Sequence, residues 1–168
     1  MNQLLWEKCV EFHGHQCPGL AIGFKACEAA KKEMNLKFSR DEEVVCITEN
    51  NACGVDAIQV LTGCSFGKGN LIYKPNGKMA FTFFSRKTGE KMRFVLNDLS
   101  NDMDRETKIN YLLDSNTSSI FVIKQTDLDL PKKAKIYNSI KCNLCGETTA
   151  EPFTRIMDGN IVCLDCFS

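Results

Sequence analysis

The chain has 168 residues, 43% of them hydrophobic and 25% charged, a composition that fits a soluble globular protein with one core domain and a small appendage. Its 21 basic and 21 acidic residues cancel, so no global positive field argues for nucleic acid or a membrane surface. No apolar run approaches the roughly 18 residues of a spanning helix. The start of the chain, Met1-Asn2-Gln3-Leu4-Leu5-Trp6, has neither the basic region nor the apolar stretch of a secretory signal, and a cytoplasmic location is the default expectation.

In chain order, Leu4, Leu5, Cys9 and Phe12 predict a short first helix. It leads into Phe12-His13-Gly14-His15-Gln16-Cys17-Pro18-Gly19, which holds both histidines of the chain. Pro18 pre-sets a first helical turn, so Cys17 falls at a helix N-terminus, where partial positive charge favours a thiolate. Leu20, Phe24, Cys27, Ala30 and Met34 continue as an amphipathic helix from Pro18 to about Met34, with Lys25, Glu28, Lys31 and Lys32 on its polar side. Gly19 and Gly23, one turn apart, allow close approach of another backbone.

Val44–Thr48 reads as a buried strand. A second helix follows from about Cys53 to Thr62, capped by Asn50 or Asn51 and stopped by Gly63. Leu71–Tyr73 and Met79–Phe84 are joined by the hairpin signal Pro75-Asn76-Gly77. A turn at Lys87-Thr88-Gly89 leads into Met92–Leu96. The expected fold class is α+β, with helices packed on one face of a mixed four-stranded sheet. A further helix is expected from about Met103 to Asp114, capped by Asn101 or Asp102. Ser119–Lys124 reads as extended and outside that unit, a free apolar edge that calls for a homodimer. Leu128–Lys135 has the composition of a linker. The expected domains are a core over residues 1–130 and a small module with its linker over 131–168.

Ten cysteines are many for this length, and without a secretory signal they point to metal or thiol chemistry rather than disulfides. Cys142-Asn143-Leu144-Cys145 and Cys163-Leu164-Asp165-Cys166 are two C-x-x-C knuckles 17 residues apart, the spacing of a structural zinc site closed by four thiolates. So short a segment cannot bury a core of its own, and metal binding would supply its folding energy. Between the knuckles, Asp158-Gly159 marks a hairpin turn. From Cys142 to Ser168 the chain holds Arg155 against Glu147, Glu151, Asp158 and Asp165. This acidic balance disfavours nucleic acid and favours a protein partner.

Cys53 repeats the setting of Cys17, a thiol at the start of a helix. Asp56 and Gln59 follow it at i+3 and i+6, making a polar stripe. His15, Cys17 and Cys53 form a soft nitrogen and sulfur set suited to a second transition metal such as zinc, iron, nickel or copper. The same residues with Asp56 could instead serve as nucleophile, base and orienter. Lys68, in the glycine-rich stretch Thr62–Asn70, is a candidate anion-binding cation.

His13–Gly19, together with Glu49-Asn50-Asn51-Ala52-Cys53-Gly54-Val55-Asp56 through Cys64 and on to Leu71, resembles the FmdE family of formylmethanofuran dehydrogenase proteins. The resemblance covers roughly residues 1–100 by motif and reaches more loosely to the four-cysteine module. It implies a mixed four-stranded sheet with helices on one side, a dimer, and one pocket lined by both motifs, with Cys53 foremost. By motif position His15, Cys17, Cys53, Asp56, Gln59, Cys64 and Lys68 carry over to that pocket. No segment reads as a site for the molybdopterin or tungstopterin of the parent enzyme. The leading reading is a metal-binding accessory protein with a structural zinc site. Beside it stand a small enzyme with Cys53 as nucleophile or redox thiol, and a zinc-ribbon regulator or interaction adaptor.

Overall fold

Val44–Thr48 (β1) is buried along its whole length, so it needs a strand on each side and cover on both faces. A computed structural model, which describes residues 2–100 and 102–168, supplies both. Leu71–Tyr73 (β2) pairs with β1 in parallel, while Ala80–Ser85 (β3) pairs with its other edge antiparallel. Lys91–Leu96 (β4) and Phe121–Gln125 (β5) continue outward, giving the order β2-β1-β3-β4-β5.

The class is α+β as expected, with five strands instead of four. The Pro75-Asn76-Gly77 segment does not close a hairpin, because β1 lies between the two strands it joins. Lys74 N–H donates to the Thr48 carbonyl at 2.9 Å as the chain crosses the end of β1. The stretch read as a free edge, Ile120 to Ile123, ends a four-residue helix (Thr117–Ile120) and enters β5, which is hydrogen-bonded to β4. The stretch therefore lies within the sheet rather than outside the α+β unit, and as the last strand in the order β5 keeps one edge unpaired among the described residues.

Helices α1 (Gln3–His13), α2 (Pro18–Met34), α3 (Gly54–Thr62) and α4 (Arg105–Asp114) complete the main unit. Phe24, Ile58, Phe81, Phe83 and Phe94 join helices to sheet in one core. The expected start of α4 shifts to Arg105 because Asp104 caps it, accepting from the N–H groups of Glu106 and Thr107; Asn101 lies outside the described residues. No side chain caps α3; Asn50 Oδ1 instead accepts from Ala52 N–H just ahead of it.

Lys25, expected on the polar face of α2, is buried. It pairs with Glu28 at 2.7 Å and donates to the Leu113 carbonyl, because α4 covers that side of α2. On the other face of the sheet, Val45, Ile47 and Phe84 are covered by Ile72 and Leu128. The segment carrying Leu128, read as the start of a linker, is tied down: Lys91 donates to the Leu128 carbonyl and Arg86 to that of Pro131.

Two compact units emerge, Met1–Lys133 and Ala134–Ser168. The second consists of the hairpins Ser139–Lys141 (β6) with Thr148–Ala150 (β7) and Thr154–Met157 (β8) with Asn160–Cys163 (β9), followed by one helical turn. Its buried cluster is only Cys142, Val162 and Cys163. Among the described residues no helix is long and apolar enough to cross a membrane.

Candidate metal centres

Gly14 adopts a left-handed conformation (φ +88°) and ends α1, so that the chain turns directly into α2. Cys17 becomes the N-cap of α2, and its sulfur accepts the Leu20 N–H at 3.3 Å. Helix α3 lies against α2 with backbone close to backbone, since Gly23 has no side chain and faces Gly54. This crossing places Cys53, the N-cap of α3, beside Cys17.

A ring nitrogen of His13, Cys17 Sγ and Cys53 Sγ all lie within 4.8 Å of one another. His13 Nε2 is 3.7 Å from the Cys17 sulfur. A tetrahedral ion with bonds of about 2.3 Å to sulfur and about 2.0 Å to nitrogen separates such ligands by roughly 3.5 Å, so the spacing fits. His13 Nδ1–H donates to Asp56 Oδ2 at 2.7 Å, and Gln59 Nε2–H donates to the other Asp56 oxygen at 3.2 Å. The carboxylate accepts the Nδ1 proton and thereby leaves the Nε2 lone pair aimed at the sulfurs. This carboxylate–imidazole order is what a ligating histidine uses to fix its tautomer and orientation. Arg105 of α4 holds the loop from outside, donating to the Gln16 carbonyl at 2.7 Å.

The structure thus brings together Cys17, Cys53, Asp56 and Gln59, and places the other expected residues elsewhere. The converging imidazole is His13 rather than His15, which is exposed with its ring centroid 4.5 Å from that of His13. Cys64 is fully buried on the β1 side, donating to the Val44 carbonyl, and burial pushes its thiol up to about 11. Lys68 is occupied by the carbonyls of Ser39 and Arg40. Neither lies in the cluster of His13, Cys17 and Cys53. The Cys53 thiol is raised above its ordinary range, first by burial and then by the neighbouring Cys17 thiol, which reverses the helix-dipole expectation. Burial likewise raises Cys27 and Cys46, as inert core thiols require. Spacing in the sequence does not rank His13 above His15; the partner that selects His13 is Asp56, 43 residues on.

In the C-terminal unit Cys142, Cys145, Cys163 and Cys166 converge as a four-sulfur cluster that can hold a metal ion. The sulfurs of Cys145 and Cys163 are 3.8 Å apart, the separation about a tetrahedral zinc with bonds of roughly 2.3 Å. Gly146 (φ +76°) makes the knuckle turn. Backbone N–H groups of Cys145 and Cys163 point at the Cys142 sulfur and lower its thiol to about 6, preparing a thiolate.

Comparison with known proteins bears on the fold and the family. A crystal structure of a tungsten formylmethanofuran dehydrogenase FmdE-like protein from Syntrophus aciditrophicus superposes with a TM-score of 0.72 at 26% identity, over 96% of this chain and 89% of that one. A probable S-adenosyl-L-methionine-binding protein of Archaeoglobus fulgidus is 27% identical over 93% of this chain. The chain spans about half (50%) of that relative's length. The family model described as FmdE, molybdenum formylmethanofuran dehydrogenase operon, matches residues 12–120, more than half of the chain and the whole of the histidine and Cys53 motifs. The chain belongs to the FmdE family.

Proposed function

We propose that this protein is a metal-binding accessory protein. His13, Cys17 and Cys53 would hold one transition-metal ion, zinc by preference, with Asp56 and Gln59 orienting the imidazole. The four-cysteine module would hold a second, structural zinc. The observation that carries the reading is the Gln59–Asp56–His13 chain ending beside two thiols, because a merely structural core histidine needs no such buttress. A metal ion held by these three donors would supply Lewis acidity to whatever occupies its remaining position. A second reading, enzymatic, rests on the donor count: three protein ligands are the number used where zinc acts on a substrate. The acidic module, with Phe153 and Ile156 exposed, supports a protein partner for the module over nucleic acid.

Asp56→Asn is expected to weaken core metal binding about 10- to 100-fold while the protein stays folded. His13→Ala should lose that metal, and His15→Ala should keep it, as read by competition with a chromogenic chelator. An Asp56→Asn variant of unchanged affinity, or greater loss from His15→Ala than from His13→Ala, would remove the basis of this assignment.

A further inference from the structure

Helices α1, α2 and α3 leave an open groove of about 430 Å³ that none of His13, Cys17 and Cys53 lines. The volume lies in the range of small-ligand pockets. Its floor is apolar, made by Leu5, Phe24, Leu36, Val60 and Leu61, and Phe38 stands beside it with 60% of its surface exposed. Phe38 is held in place. The next residue, Ser39, donates its N–H to the Thr62 carbonyl at 2.7 Å. The Phe38 ring sits so close to Gly63 that a Cβ there would come within 2.9 Å of it. A fixed, exposed aromatic wall over a concave apolar floor is the form of a ligand site.

The rim decides which ligand. Lys8, Lys31 and Lys37 line the groove, and none has a salt bridge among the described residues. The one acid of the lining, Glu28, is already engaged by Lys25 at 2.7 Å. The charge offered to a ligand is therefore positive at the edge and absent on the floor.

We propose that this groove binds a small amphipathic acid, with an acyl or aryl chain on the apolar floor and its carboxylate among Lys8, Lys31 and Lys37. A neutral apolar molecule would leave the three ammonium groups unmatched, and a simple anion would leave the floor bare.

The test is calorimetric titration of the full, zinc-loaded chain with decanoate, and with decanol as the uncharged comparison. Decanoate should bind, and decanol should bind several-fold more weakly. The exposed double substitution Lys31→Glu/Lys37→Glu should weaken decanoate by roughly fivefold or more, the scale of two exposed charge pairs, without changing metal content. Phe38→Ala, also at an exposed position, should weaken both ligands. Absence of decanoate binding at millimolar concentration, or equal binding to the charge-reversed variant, overturns the proposal. So does a dimer that Lys31→Glu/Lys37→Glu dissociates, because the groove would then be covered by a second copy.

Discussion

Replacing Gly23 with alanine will destabilise the main unit by about 3 kcal/mol or more, lowering its melting temperature by roughly 10 °C. Alanine is the better helix former by about 1 kcal/mol, so propensity alone predicts the opposite sign. Sterics decide, because a Cβ at Gly23 would overlap the Gly54 backbone, carbonyl oxygen first, and a backbone has no rotamer with which to yield. The only relief is separation of α2 from α3, which also draws Cys17 away from Cys53. Metal affinity should therefore fall together with stability. Gly19→Ala offers a graded comparison. Its Cβ would lie 3.2 Å from that of Cys53, a contact a small shift can absorb, so metal binding should suffer more than folding. At Gly67 the added carbon meets nothing within 4 Å, and alanine there should change stability by less than about 0.5 kcal/mol. Thermal melts of the three variants check the order, and a Gly23→Ala protein that melts with the wild type would refute the packing argument.

Cys142→Ser with Cys163→Ser will unfold the C-terminal unit and leave the main unit intact. Three buried residues, two of them the mutated cysteines, cannot offset the chain entropy of some thirty ordered residues. Structural zinc contributes on the order of 10–16 kcal/mol to such a site. Hydrogen exchange should show protection lost across β6 to β9 and retained in β1 and β3. A strong chelator acting on the wild type should reproduce the pattern. Retained protection in the module after either treatment would show that it folds without metal.

Much of the architecture is legible in the sequence because it is local. Pro18 and the spacing Leu20-Phe24-Cys27-Met34 set α2, and Gly63, in the left-handed conformation at φ +73°, stops α3 where expected. Strand pairing is not local. Pro75-Asn76-Gly77 announces a reversal but carries no information about β1 standing between the strands it joins. The burial of Lys25 depends on α4, some eighty residues away, so the polar pattern of α2 misleads there.

The candidate site divides in the same way. Cys17 and Cys53 are readable as paired helix starts, and Asp56 and Gln59 as a stripe at helical spacing. The choice between His13 and His15 turns on a hydrogen bond from His13 to a carboxylate 43 residues on. Cys64 and Lys68 share the second motif's stretch of chain, yet the loop turns both toward backbone carbonyls. Nearness in sequence to Cys53 is no guide to nearness in space.

The proposed metal site of His13, Cys17 and Cys53 is independent of the four-cysteine module. It is tested most directly by counting zinc in a protein whose module cannot bind it. In the Cys142→Ser/Cys163→Ser background, elemental analysis should find close to one zinc per chain, and a further Cys17→Ser should remove it. A folded core with no zinc in the first protein, or with undiminished zinc after the Cys17 substitution, would contradict the account.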